Sequence, residues 1–279
     1  MNRVFALGDI HGNWQIIRDF YNKNKERINK NDCLILLGDS GLNYYLNERD
    51  NGMKSKLMKY PFTYFIVRGN HEERPSLCME RNPADWHTET FWGNTVYVET
   101  KYPNIKYALD EVSVYDIPCF SFCSGTRENR WTDDGYHPGT YRTLVIPGAY
   151  SVDKNYRLAN GWSWFEHEQL NEEERERGLN LIKNINSFDL VLSHTCPIIF
   201  EPTDLFLSVV DQSTVDKTTE RYLGQIEYLI DYKAWLWGHF HGFRDYPRDD
   251  GKKKLMLFYK HAIDISEYIE NDELIKYET

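Results

Sequence analysis

The chain has 279 residues, of which 33 are Lys or Arg and 43 are Asp or Glu, for a formal charge of −10 at pH 7. Hydrophobic residues make up 41% and aromatic residues 15%, enough for a packed core, so a disordered or collagen-like chain is excluded. The acid excess argues against a wrap along long nucleic acid, yet a small phosphate-bearing substrate fits if positive charge is supplied locally.

The first apolar run, Val4 to Leu7, ends in the polar turn Gly8-Asp9-Ile10-His11-Gly12. It is too short for a signal-peptide core, and no run approaches the ~20 apolar residues of a membrane-spanning helix. Five scattered cysteines (Cys33, Cys78, Cys119, Cys123, Cys196) hold no CxxC pair, so reduced thiols and a cytoplasmic location are expected, with no membrane partner. A helix is predicted next, capped by Asn13, with Trp14, Ile17, Phe20, Tyr21 and Ile28 on one face. The run 33–37 leads into Gly38-Asp39, a second helix is expected within 43–60, and 62–67 leads toward Gly69-Asn70-His71-Glu72. This β-α-β-α-β alternation implies parallel strands covered by helices.

Residues 95–146 carry the short strand candidates TVYVE, VSVYDI, CFSFC and TLVIP, which predict a second, more antiparallel sheet. A helix is expected over 164–185, with Phe165, Leu170, Ile182 and Ile185 inward and the charge run 172–177 solvated. The run FDLVLS then ends in His194, and a helix over 218–230 places Tyr222, Leu223, Ile226, Leu229 and Ile230 inward. Residues 234–237 lead into Gly238-His239-Phe240-His241-Gly242. Asp250-Gly251 marks a hairpin turn, and lysines 252–254 suit protection of an edge strand. No linker or repeat divides the sequence, so 1–279 is expected as one domain.

What these runs share is the residues that follow them. Carboxyl ends of parallel strands converge where ligands bind, so five strand ends deliver Asp9, Asp39, Asn70 and the histidines 11, 71, 194, 239 and 241 to one rim. A lone strand-end His is ordinarily a solvated loop residue; five such sites beside glycines or apolar runs are not explained that way. Carboxylate and imidazole together suit first-row divalent metals.

The order D-x-H, G-D, G-N-H-E, H, G-H-x-H resembles the calcineurin-like metallophosphoesterase superfamily across residues 9–241. Asp9 and Asp39 stand 30 residues apart and Asp39 and Asn70 31, as two β-α-β units of that family would place them. The resemblance implies an α/β fold, a four-layer α/β/β/α sandwich of two mixed sheets flanked by helices, with two divalent metal ions. It implies that Asp9, His11, Asp39 and His241 hold one ion, and that a bridging Asp39 joins Asn70, His194 and His239 on the second. Manganese is the leading identity, with iron, zinc or a mixed pair as alternatives. Such a pair activates water and clamps phosphoryl oxygens. Asp39 and His71 are then the catalytic residues, His71 protonating the leaving oxygen or stabilising phosphoryl charge.

The protein-phosphatase branch of that superfamily carries G-D-x-x-D-R-G as its second motif. Here Leu42 replaces the Asp and Asn43 the phosphate-gripping Arg, so neither a paired carboxylate nor a bidentate cation is expected there. A substitute is expected from Gly148–Lys154, Arg157 and Gly161–Glu166, which resemble a stretch of bacterial and phage members. Asn43, Ser151, Asp153 and Arg157 are thus the candidate substrate-binding residues, although Asp153 and Arg157 also suit an ordinary i,i+4 pair. Arg127 and Arg130 beside Trp131 are weaker candidates. The expected function is metal-dependent hydrolysis of a phosphomonoester, on a phosphorylated small molecule or a phosphoprotein. A phosphodiesterase or nuclease on the same centre is the alternative, since a diester carries one charge fewer to grip. A metal-free binding scaffold is the reading from another class, disfavoured because every expected ligand position is filled.

Overall fold

The structure, a computed structural model, describes residues 3–119, 139–247, 250–271 and 273–279. All but Cys119 of the strand candidate at 119–123 lies outside the described residues, as do Arg127, Arg130 and Trp131.

Strands β1 (Val4–Leu7), β2 (Cys33–Leu37) and β3 (Thr63–Val67) alternate with helices α1 (Trp14–Asn24) and α2 (Glu48–Leu57). The side chain of Asn13 caps α1 by accepting from the Gln15 amide. The three strands pair in parallel, with Val4 opposite Cys33 and Cys33 opposite Thr63. Beyond α3 (Pro75–Arg81) come β4 (Trp86–Phe91), β5 (Asn94–Glu99) and β6 (Ile105–Tyr107). Strand β6 takes the free edge of β3 in parallel, and the β4–β5 hairpin continues outward from it. TVYVE therefore belongs to the first sheet and not to the second.

Strands β7 (Ser113–Pro118) and β8 (Thr140–Ile146) form an antiparallel pair. Helices α4 (Lys154–Ala159) and α5 (Glu172–Asn184) then carry the chain to β9 (Ser187–Ser193), and α6 (Thr218–Leu229) carries it to β10 (Asp231–Trp237). After the short β11 (Arg244–Asp245), β12 (Lys253–Met256) lies beside β10, while β13 (His261–Asp264), α7 (Ile265–Glu270) and β14 (Tyr277–Glu278) return to the first sheet next to β1. The centre of the second sheet, β12-β10-β9-β8, is parallel, and only its two edges are antiparallel. The expectation of a more antiparallel second sheet is corrected: helical crossovers return β9 and β10 in parallel, and β12 comes back in parallel beside β10 after the short β11.

The inner strands are covered on both faces, which is why β1, β2 and β3 are almost continuously apolar, whereas the edge strands β4 and β7 carry exposed or half-buried polar residues. Ala6, Leu37 and Val67 of the first sheet pack with Leu192 and Leu236 of the second. Phe5, Leu7 and Leu36 turn the other way, onto Ile17 and Phe20 of α1. Trp235 and Trp237 turn outward from the second sheet onto Ile182, Leu223 and Ile226 of α5 and α6. The result is two mixed sheets between helical layers, the four-layer α/β/β/α sandwich. Leu192 is fully buried at the sheet–sheet contact. Leu192→Ala should cost about 2–5 kcal/mol of stability, read as a lower urea midpoint.

Four local expectations change. The helix expected from 164 starts at Glu172, where Asn171 and Glu174 form a capping box. Glu174 in its charge run is buried against Arg74 rather than solvated, and Leu229 is exposed rather than inward. Lysines 252–254 do not guard an edge, since β11 is the edge strand: Lys254 pairs with Asp250 at 2.7 Å, and Lys253 donates to the carbonyls of Tyr268, Ile269 and Asn271 at the end of α7. Among the described residues, no helix is long and apolar enough to cross a membrane.

Candidate metal centre

Strands β1, β2 and β3 of the first sheet and β9 and β10 of the second end at one place. Asp9, Asp39, Asn70 and His71 follow the first three, and His194, His239 and His241 follow the other two. Two glycines explain how closely the sheets meet. A Cβ on Gly38 would fall 2.0 Å from His194 Nδ1 of the opposite sheet, and one on Gly238 would fall 2.2 Å from Asp9 Oδ1. Each sheet thus offers a residue without a side chain to a polar group of the other.

The backbone here is unusual. His11, Asp39, His239 and His241 all adopt positive φ, between 44° and 70°. Non-glycine residues rarely do so, and such strain persists where surrounding structure enforces it, often at functional sites. The His11 amide donates to the Asp39 carbonyl at 2.8 Å, and the His239 amide donates to both Asp9 oxygens at 3.0 and 3.1 Å.

Donor atoms of Asp9, His11 and His241 converge within 4.8 Å of one another, as do those of His11, Asp39 and His71 and of Asp9, Asp39 and His194. The Nε2 atoms of His11 and His241 face each other at 2.8 Å, and His241 Nε2 lies 3.5 Å from Asp9 Oδ2. His194 donates from Nδ1 to the Leu37 carbonyl at 2.8 Å, which aims Nε2 at Asn70 Oδ1 (2.8 Å) and Asp39 Oδ1 (3.5 Å). His239 joins none of these triads, and its ring stands edge-on to that of His194 at 4.9 Å. Oxygen and imidazole atoms without thiolate, converging from two directions on Asp9 and Asp39, are a donor set that fits divalent metal ions.

The charges support this. Burial opposes ionisation of Asp39, but His71 and His194 outweigh it and hold the carboxyl well below its ordinary value. Burial likewise opposes the His194 cation, but Asp39 and Asp9 raise it to about 9. His239, buried beside His194, is pushed down to about 3. The pocket is rich in negative charge that only a cation or imidazolium relieves.

Asn70 is oriented by a network that sequence reasoning only half found. Its Nδ2 donates to Ser151 Oγ at 2.8 Å, leaving Oδ1 toward the centre. Ser151 in turn donates from Oγ and from its amide to the Glu168 carboxylate, which also accepts from Trp164 Nε1 at 2.9 Å. Ser151 is buried and lines neither of the two cavities at the centre; its hydroxyl holds the Asn70 amide. Glu168 belongs to no motif in the sequence, because a single buried acid in a loop has no periodic signature.

Asn43 is also buried, its carbonyl accepting from the Glu73 amide, and it lines neither cavity. Arg157, by contrast, reaches the centre. Its Nε binds Asp153 at 2.9 Å as the i,i+4 pair predicts, its Nη1 donates to the Ser163 carbonyl, and its Nη2 donates to His71 Nδ1. A guanidinium only donates, so His71 accepts at Nδ1 and carries its proton on Nε2. That Nε2 lies 3.8 Å from Asp153 Oδ1, and burial holds the ring's pKa below its ordinary value.

Two cavities open at this point. One, of about 280 Å³, is bounded by Tyr44, Tyr45, Trp162 and Arg157 beside His11 and His71. The other, of about 390 Å³, runs from Asp39, Asn70, His71 and His239 along Val152 to the segment 205–217. Nothing in the sequence marked 205–217 as a wall of the site; it is made of short 3-10 turns between β9 and α6.

No curated protein matches this sequence. Among solved structures, TT1561 of Thermus thermophilus superposes with a TM-score of 0.55 at 12% identity, covering 100% of this chain and 99% of its own. A dimetal phosphatase from Danio rerio is also similar, with a TM-score of 0.46 at 10% identity over 95% of this chain and 93% of its own. The profile of the calcineurin-like phosphoesterases matches residues 2–243. With that match over most of its length, and with the sandwich and the convergent carboxylate–imidazole cluster, the chain belongs to the calcineurin-like phosphoesterase family, metal-dependent hydrolases of phosphoesters.

Proposed function

We propose that the chain hydrolyses phosphomonoesters at this centre. The observation that carries the reading is Arg157, whose guanidinium sits against His71 at the rim and restores the cation missing at Asn43. A monoester dianion needs such a cation more than a diester does. Asp9, His11, Asp39 and His241 would hold one ion, with Asp39, Asn70, His194 and His239 holding the second; a donor set of carboxylate, amide and imidazole suits manganese. When bound, the metal pair supplies activated water and neutralises phosphoryl charge.

The chain's own residues do the rest. Arg157 and Asp153 fix the His71 ring so that its proton stands on Nε2, available to the leaving oxygen. Ser151 and Glu168 keep the Asn70 amide from rotating. Tyr44 lies under the guanidinium, 5.5 Å from its carbon, and holds it in place.

The test compares 4-nitrophenyl phosphate with bis(4-nitrophenyl) phosphate in Mn²⁺. The monoester is expected to be the better substrate by kcat/KM. Arg157→Ala should lower kcat/KM about 10–100-fold for the monoester and by much less for the diester, as the loss of a charged contact requires. A preference for the diester, or equal losses on both, would assign the centre to diesters instead.

A further inference from the structure

The larger cavity has the wrong lining for a phosphate and the right one for what phosphate is attached to. Away from the metal centre its walls are Val152, Phe206, Val210, Val215 and Phe240, with the two phenyl rings inclined at 26° and 6.2 Å apart. The one cation there, Lys217, is already engaged: its ammonium binds Glu201 at 2.7 Å and lies over the Phe206 ring.

One polar group stands out in this apolar wall. Glu220, in the first turn of α6, lines the cavity yet is only 4% exposed. Its Oε1 accepts from Thr195 Oγ1 at 3.0 Å, while its Oε2 is buried without a hydrogen-bond partner. Burial pushes the carboxyl up to about 7. Leaving a buried carboxyl oxygen unpaired costs stability, and native proteins rarely do so without a reason. The other orphaned side-chain atoms among the described residues, on Arg68, Tyr107, Asp110, Ser113, Trp237 and His261, line neither cavity at the centre. Among these residues Glu220 is the one that lines a cavity at the centre.

We propose that this cavity is the leaving-group site and that Glu220 Oε2 accepts a hydrogen bond from it, so that the chain selects phosphomonoesters of ring-bearing alcohols that carry an N–H or O–H donor. The proposal rests on the phosphomonoester reading above. The apolar walls select the ring, the centre holds the phosphoryl group, and Glu220 discriminates among rings by what they carry. Sites that hydrogen-bond a substrate group in this way reject analogues lacking it more strongly than apolar pockets discriminate by size.

The experiment uses the whole metal-loaded protein at pH 8 with 2-naphthyl phosphate and 6-amino-2-naphthyl phosphate. The amino compound is expected to have the higher kcat/KM by about tenfold, the lower end of what a hydrogen bond to a charged group supplies. Glu220→Leu should bring that ratio to about one. Glu220→Gln keeps the shape and an acceptor for Thr195 but turns an Nε2 donor toward the substrate's donor, so the ratio should also fall to about one or below. In parallel, the two free naphthols are titrated into the protein by their fluorescence, with the same preference expected. A wild-type ratio of one in both assays, or a ratio unaltered by Glu220→Leu, overturns the proposal and leaves the phosphomonoester reading standing. No turnover of either ester, with the naphthol preference present, overturns the phosphomonoester reading and keeps the subsite.

Discussion

Replacing His71 by alanine should lower turnover of phenyl phosphate by about 10²–10⁴-fold, the range spanned by positioned general acids, while leaving the bound metal unchanged. His71 is next to Asn70 and its ring lies 5.2 Å from that of His11, so proximity alone would make it a metal ligand. Arg157 argues otherwise. The guanidinium occupies the Nδ1 lone pair and places a fixed positive charge where an ion would have to sit. What remains is an Nε2–H at the mouth of both cavities. If that proton goes to the leaving oxygen, the loss in His71→Ala must depend on the leaving group. 4-Nitrophenolate departs without protonation, so 4-nitrophenyl phosphate should lose far less than phenyl phosphate. Equal losses on the two esters would assign His71 to charge stabilisation alone. Undiminished activity would remove it from the reaction, and a drop in metal content would make it a ligand.

Gly238→Ala should have a comparably large effect by a different route. The Gly238 backbone is not left-handed, so the substitution is blocked by space and not by conformation. Its Cβ would meet Asp9 Oδ1 at 2.2 Å and the Leu37 carbonyl at 3.0 Å, one a candidate ligand and the other backbone of the facing sheet. Relief requires Asp9 to turn away or the two sheets to part. Overpacking of this kind costs about 1–3 kcal/mol, and either escape removes Asp9 from the cluster it shares with His11, His241, Asp39 and His194. The expected result is a lower melting temperature together with a substantial loss of bound metal after dialysis, measured by elemental analysis. Gly52→Ala serves as the control: it sits inside α2 with nothing within 4 Å of the added carbon, and should raise stability slightly. Full metal content in Gly238→Ala would show that the close approach of the sheets is not what assembles the site.

The seven candidate ligands and His71 were legible because each belongs to a local pattern. An apolar run of four to seven residues ends, the chain turns, and a polar residue follows the turn. That grammar is written within about ten residues and survives whatever the rest of the chain does. The placement of the first three strands was legible for the same reason, since β-α-β units are built from neighbours in sequence. The assignment of TVYVE to the second sheet failed where that locality ended. Its partner is β6, and which free edge β6 leaves for it depends on β3 having paired first.

The sequence by itself determined the set of chemistry-bearing residues, the family they resemble and the two-sheet sandwich that family implies. Tertiary structure alone decided what surrounds them. Arg157 meets His71 across 86 positions, Ser151 meets Asn70 across 81, and His194 meets Asn70 across 124. No hydrophobic period or turn signal spans such distances, because periodicity reports only which face of one element is buried. The same holds for Glu220, whose helix shows its apolar stripe plainly but not the cavity against which one of its acids is left without a partner. Local chemistry is encoded in neighbours, and complementarity between distant segments exists only once the two sheets have packed.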